Sequence, residues 1–109
     1  MTGEPIKLWL DDLRDPNLHG RIGWTWAKTH DEALALLRTG RVIRASLDHD
    51  LTVNQTMGIP DGEKTGMDVL FAMDREGLWP AGGVEVHSQN PTMSVRMRNH
   101  IAQRRAGGR

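Results

Sequence analysis

Ile6-Lys7-Leu8-Trp9-Leu10-Asp11-Asp12 is a short apolar run that passes directly into two acids. Such a run reads as a buried strand ending in a polar turn, because a strand covered on both faces needs apolar side chains on both. The pattern returns at Val42 to Leu47, which gives way to Asp48-His49-Asp50, and at Val84-Glu85-Val86, which gives way to His87-Ser88. Strands that each end in titratable or hydroxyl side chains point to a parallel sheet whose carboxyl ends share one polar site.

The segments between these strands support that arrangement. Leu13 to Gly23, with Asp15-Pro16-Asn17 and two glycines, reads as a loop or short turn leading to a strand at Trp24-Thr25-Trp26-Ala27, whose alternation puts both tryptophans on one face. Thr29 followed by Glu32 forms a capping box, and Ala33, Leu36 and Leu37 supply the inward stripe of a helix closed by Gly40. Thr65 caps a helix from Gly66 to about Glu76, with Asp68 in its first turn, Met67, Leu70 and Phe71 facing inward, and Gly77 and Pro80 ending it. Asn90-Pro91 reads as the cap and first position of a last helix, on which Met93, Met97 and Ile101 form an apolar stripe. Right-handed crossovers then predict a small, doubly wound α/β parallel sheet of flavodoxin-like, three-layer build with strand order 2-1-3-4. Residues 1–109 read as a single domain. Residues 1–5 and 105–109 are expected to be flexible, and 52–64, with Pro60 and two glycines, to be a candidate lid loop.

Composition narrows the chemistry. The 109 residues leave room for one core, and the lack of cysteine excludes disulfides, thiolate metal sites and sulfur nucleophiles. Lys+Arg and Asp+Glu balance at 14 each, so no bulk attraction to a polyanion is expected. Five arginines and no acid lie between Arg96 and Arg109, which reads as a solvated helix face and tail. Four tryptophans against one phenylalanine and no tyrosine argue against a stacking platform for single strands. The N-terminus carries no basic segment followed by an apolar run, and no stretch approaches the roughly 18 apolar residues of a membrane span, so a cytoplasmic protein without membrane contact is expected.

With strand order 2-1-3-4, Asp11, Asp12, Asp48, His49, Asp50, His87 and Ser88 fall side by side. Either acid cluster alone could be a turn or a cap; their repetition at neighbouring strand ends favours a shared site. Converging carboxylates repel one another unless a cation compensates, and oxygen ligands favour Mg²⁺ or Mn²⁺, here on Asp11, Asp12 and Asp48. His49 and His87, with Asp48 and Asp50 beside them, are the candidate catalytic residues, since imidazole can give or take a proton near neutral pH. Ser88, Asn90 at the helix start and the basic Arg14 are candidate phosphate ligands. Opening a cyclic phosphate needs this combination of activated water, neutralised phosphoryl charge and protonated leaving oxygen. His19, His30 and His100 are assigned to surface or packing.

The acid pair after the first strand, the aspartate after the third and the serine after the fourth resemble the receiver domain of two-component signalling. That resemblance implies Mg²⁺ on Asp11 and Asp12, phosphoacceptor chemistry at Asp48 and a phosphoryl contact from Ser88. The lysine-bearing fifth strand and the last helix of a receiver have no counterpart in this sequence, nor has the full first helix. Trp9 to Asp15, Ser46 to Leu51, Thr65 to Leu70 and Val86 to Pro91 are similar to the cyclic-phosphate-processing receiver-like domains. This second resemblance spans nearly the whole chain and implies an enzyme acting on cyclic phosphate at RNA ends or in cyclic nucleotides. Three functions therefore compete: a metal-dependent phosphoesterase taking a phosphate-containing small molecule or RNA end, a signalling receiver phosphorylated on Asp48, and a non-catalytic module that binds a protein partner.

Overall fold

A computed structural model describes residues 4–49, 51 and 65–108. Asp50 and the candidate lid, 52–64, lie outside the described residues, as do 1–3 and 109. In chain order the elements are β1 (Ile6–Leu10), a 3-10 turn (Pro16–His19), β2 (Thr25–Ala27), α1 (His30–Leu37), β3 (Val42–Leu47), α2 (Gly66–Glu76), β4 (Val84–Val86) and α3 (Pro91–Gly108). All strand pairs are parallel and the order is β2-β1-β3-β4, as the strand-end pattern predicts.

The pleat sorts the sheet into two unlike faces. Ala27, Leu10, Leu47 and Val86 share one row. They belong to the core, where Leu8, Leu10 and Leu47 have no exposed surface and each contributes roughly 2 kcal/mol by burial. The three α-helices neighbour one another along this face, α1 against α2 and α2 against α3. The adjacent row, on the opposite face, is Trp26, Trp9, Ser46 and Glu85. Its cover is the segment joining β1 to β2: Trp9 is 3% exposed, donates from Nε1 to the Arg14 carbonyl at 2.8 Å and meets Trp24 edge-on. The third layer is thus a 3-10 turn and its flanking loop, held together by one buried indole.

Local chemistry explains the helix boundaries. Thr29 Oγ1 accepts from the Glu32 N–H at 3.0 Å, whereas Glu32 reaches past the cap to accept from the Lys28 N–H at 2.7 Å. Thr65 and Asp68 make the full reciprocal box, and Gly77, at φ 68, closes α2 in the left-handed region open to glycine. Two inward assignments shift. Leu34, rather than Leu36, is buried with Ala33 and Leu37, and Phe71 is 44% exposed while Val69, Leu70, Ala72 and Met73 go inside. In both helices the buried arc is displaced around the axis from the expected stripe. Phe71 instead meets His100 of α3 edge-on, and the Asp74 carboxylate accepts from both His100 Nε2 (2.7 Å) and Trp79 Nε1 (2.9 Å). His100 therefore ties α3 to α2, the packing role expected of this histidine.

Candidate functional site

Parallel ladder bonds continue one step beyond three strands. The N–H of Asp11 donates to the Ala27 carbonyl at 3.0 Å, that of Asp48 to Leu10 at 2.9 Å and that of His87 to Leu47 at 3.0 Å. Asp11, Asp48 and His87 are thereby held in extended register, two residues past Trp9, Ser46 and Glu85 and on the same face. Residues distant in sequence meet because the sheet aligns the strand ends.

Asp11 is the centre of the site. Its Oδ1 accepts from the N–H groups of Leu13 (2.9 Å) and Arg14 (2.8 Å); its Oδ2 lies 2.9 Å from Arg14 Nε and 3.0 Å from His87 Nε2. Burial pushes the Asp11 carboxyl up, but the bonds from His87, Arg14 and Leu13, with the Arg14 charge, outweigh it and bring the pKa from 3.8 to about 2. A carboxylate this firmly ionised can only accept, so His87 Nε2 carries the proton facing it. In the neutral ring, Nδ1 is then the acceptor for Ser46 Oγ, 2.7 Å away. The imidazole is fixed at both nitrogens, and its face stacks on Trp9 with ring centroids 3.8 Å apart.

Asp48 experiences the opposite balance. Burial, then the charge of Asp11, raise its carboxyl pKa, although Arg14, His87 and the His49 N–H (2.9 Å) pull the other way. Arg14 Nη2 lies 3.6 Å from Asp48 Oδ1, so one guanidinium spans both acids. Asp12 completes the cluster: Asp11, Asp12 and Asp48 are all buried and each presents an oxygen within 4.8 Å of the others. This all-oxygen set suits a hard divalent cation such as Mg²⁺ or Mn²⁺, and a cation would offset the repulsion that raises the Asp48 pKa. Among the described residues no buried side-chain nitrogen or oxygen lacks a partner.

The remaining candidates are less directly tied to the cluster. Ser88 Oγ accepts from the Asn90 N–H at 3.1 Å, and Asn90 Oδ1 accepts from the Met93 N–H at 3.1 Å, so both serve the cap of α3. His49 is half-buried; its N–H serves Asp48 and its carbonyl accepts from the Gly66 N–H at 3.0 Å. Asp50 lies outside the described residues. Arg14, expected at the phosphate, sits on Asp11 and Asp48. Ser46 and Trp9, absent from the expected set, orient His87; their signal is alternation, since each stands two residues before an acid of the site.

The backbone next to Asp48 is equally constrained. A Cβ on Gly66 would lie 1.9 Å from the Asp48 carbonyl oxygen, so only glycine lets the start of α2 approach the end of β3.

No helix among the described residues is long and apolar enough to cross a membrane. No curated protein and no solved structure matches the chain. The family model described as the cyclic-phosphate processing receiver domain matches residues 6–103. With the 2-1-3-4 parallel sheet and the buried aspartate cluster at its carboxyl end, that match makes the chain a member of the cyclic-phosphate processing receiver domain family.

Proposed function

We propose that the domain is a divalent-cation-dependent phosphoesterase that opens a cyclic phosphate, in a cyclic nucleotide or at an RNA end. The observation that carries this reading is the bond between His87 Nε2 and Asp11 Oδ2, because it couples an imidazole to the acid cluster. Phosphoacceptor chemistry on an aspartate needs no imidazole; ring opening needs a proton donor for the departing oxygen.

Asp11, Asp12 and Asp48 would hold the cation, Mg²⁺ or Mn²⁺. When bound, it supplies positive charge to the phosphoryl oxygens. His87 in its protonated form passes the Nε2 proton to the departing oxygen as the P–O bond breaks, and the ring is left neutral with its Nδ1–H hydrogen-bonded to Ser46 Oγ. His49, next to Asp48, takes the proton of the attacking water, with Asp50 following it in the sequence. Ser88, Asn90 and the first N–H groups of α3 receive the phosphate.

Hydrolysis of 2′,3′-cyclic nucleotides with Mg²⁺ or Mn²⁺ tests the proposal. Turnover by the wild type that is lost in His87→Ala and in Asp48→Ala supports it. Cation binding without turnover, together with acid-stable but base-labile labelling of Asp48 by a small phosphodonor, would replace it with a signalling receiver. Neither turnover nor labelling would leave the non-catalytic module.

A further inference from the structure

We propose that Arg14 is an exchangeable counter-ion, competing with the divalent cation for Asp11 and Asp48 and moving to the phosphate when the cation displaces it. The inference rests on the cation-dependent reading above and deepens it, by giving one side chain two successive partners.

All the acceptor positions on Asp11 are engaged. Two backbone N–H groups hold Oδ1, while Arg14 Nε and His87 Nε2 share Oδ2. A cation that takes Oδ2 as a ligand must displace one of those two donors. His87 is anchored on its other nitrogen by Ser46 and on its face by Trp9. Arg14 is the freer partner: its side chain is 25% exposed, against 14% for that of His87. A guanidinium beside a divalent cation is also repelled by it.

The direction of release is set by the backbone. Arg14 is pinned through its N–H to Asp11 Oδ1 and through its carbonyl to Trp9 Nε1, so displacement moves only the side chain. The guanidinium stays within a side chain's reach of the site, where its planar fork matches a phosphate. Cation and phosphate should then bind cooperatively, because the first frees the group that binds the second.

The test is calorimetric titration of the full chain with MnCl₂, with and without inorganic phosphate, for wild type, Arg14→Gln and Arg14→Lys. The expected result is Mn²⁺ binding about tenfold or more tighter in Arg14→Gln, the size of one lost charge-assisted competitor, with Arg14→Lys in between. Phosphate should tighten Mn²⁺ binding in wild type and do so far less in Arg14→Gln. Circular dichroism checks folding; should Arg14→Gln not fold, Arg14→Lys decides by whether its Mn²⁺ affinity exceeds that of wild type. Equal or weaker Mn²⁺ affinity in the folded variants overturns the exchange while leaving the cation site standing. Phosphate binding that is indifferent to Mn²⁺ in wild type overturns the transfer to phosphate. No Mn²⁺ binding by any of the three removes the cation reading and this inference together.

Discussion

The imidazole of His87 and the indole of Trp9 lie 2° from parallel, although the strands that carry them are separated by β3. His87 reaches across the strand between, and Ser46 of that strand supports it from below. Trp9→Ala should cost about 3–5 kcal/mol, as for other large buried aromatics. Urea unfolding of Trp9→Ala, His87→Ala and the double variant should reveal a coupling of at least about 0.5 kcal/mol. Strict additivity would mean that the stack contributes nothing of its own.

Ser46 has no exposed surface, and its hydroxyl is spent on His87 Nδ1. Ser46→Ala should lower stability by about 1 kcal/mol while leaving the Nε2 proton where Asp11 fixes it. The ¹⁵N shifts of the neutral His87 ring should keep the pattern of the Nε2–H tautomer; a shift toward a tautomer mixture would show that Ser46, and not Asp11 alone, fixes the proton.

Gly66→Ala forces a methyl group onto the Asp48 carbonyl and should cost about 3 kcal/mol or more, because the obstacle is backbone and cannot rotate away. Gly77→Ala, where a Cβ would meet nothing within 4 Å but φ is 68, should cost only about 1 kcal/mol. Thermal unfolding of the two variants ranks them, and a reversed order would refute the close approach of α2 to β3.

Stability in EDTA should depend on pH through two aspartates of opposite sign. The Asp11 pKa is lowered to about 2, so its contribution is present above the ordinary carboxylate value and is lost as pH falls from about 4 toward 2. That contribution is about 2 kcal/mol, and Asp11→Asn should flatten this acid limb. The Asp48 pKa is raised, so stability falls as pH rises from the ordinary carboxylate value through its folded-state value and stays lower above it. Asp48→Asn should therefore melt higher than wild type at neutral pH without added cation; a lower melting temperature would show that Arg14 outweighs the burial and repulsion.

The strand ends were legible because Asp11, Asp48 and His87 interrupt apolar runs, and capping residues such as Thr65 and Asp68 mark helix starts through local bonds. Ser46 and Trp9 were not, because inside a strand a serine or tryptophan reads as filler until the register of β1, β3 and β4 is known. Alternation places Trp9 with Asp11 and Ser46 with Asp48, but only the parallel pairing turns those two columns into one platform for His87. The charge of Arg14 suggests a phosphate, whereas its seat on two carboxylates depends on a loop held by Trp9 Nε1 and the Asp11 turn. Phe71 misled because a large apolar side chain in a helix suggests the core, whereas its helix turns that position toward His100.

The bond from His87 to Asp11 closes a span of 76 positions. A site built over such a distance forms late, since the entropy of bringing its ends together must be met before any of its contacts exist. A cation on Asp11, Asp12 and Asp48 would join the ends of β1 and β3 and, through the bond from Asp11 to His87, the end of β4. Loading the site should slow amide hydrogen exchange in β1, β3 and β4 together, because a cation bound only by the folded chain makes every opening that breaks the site costlier.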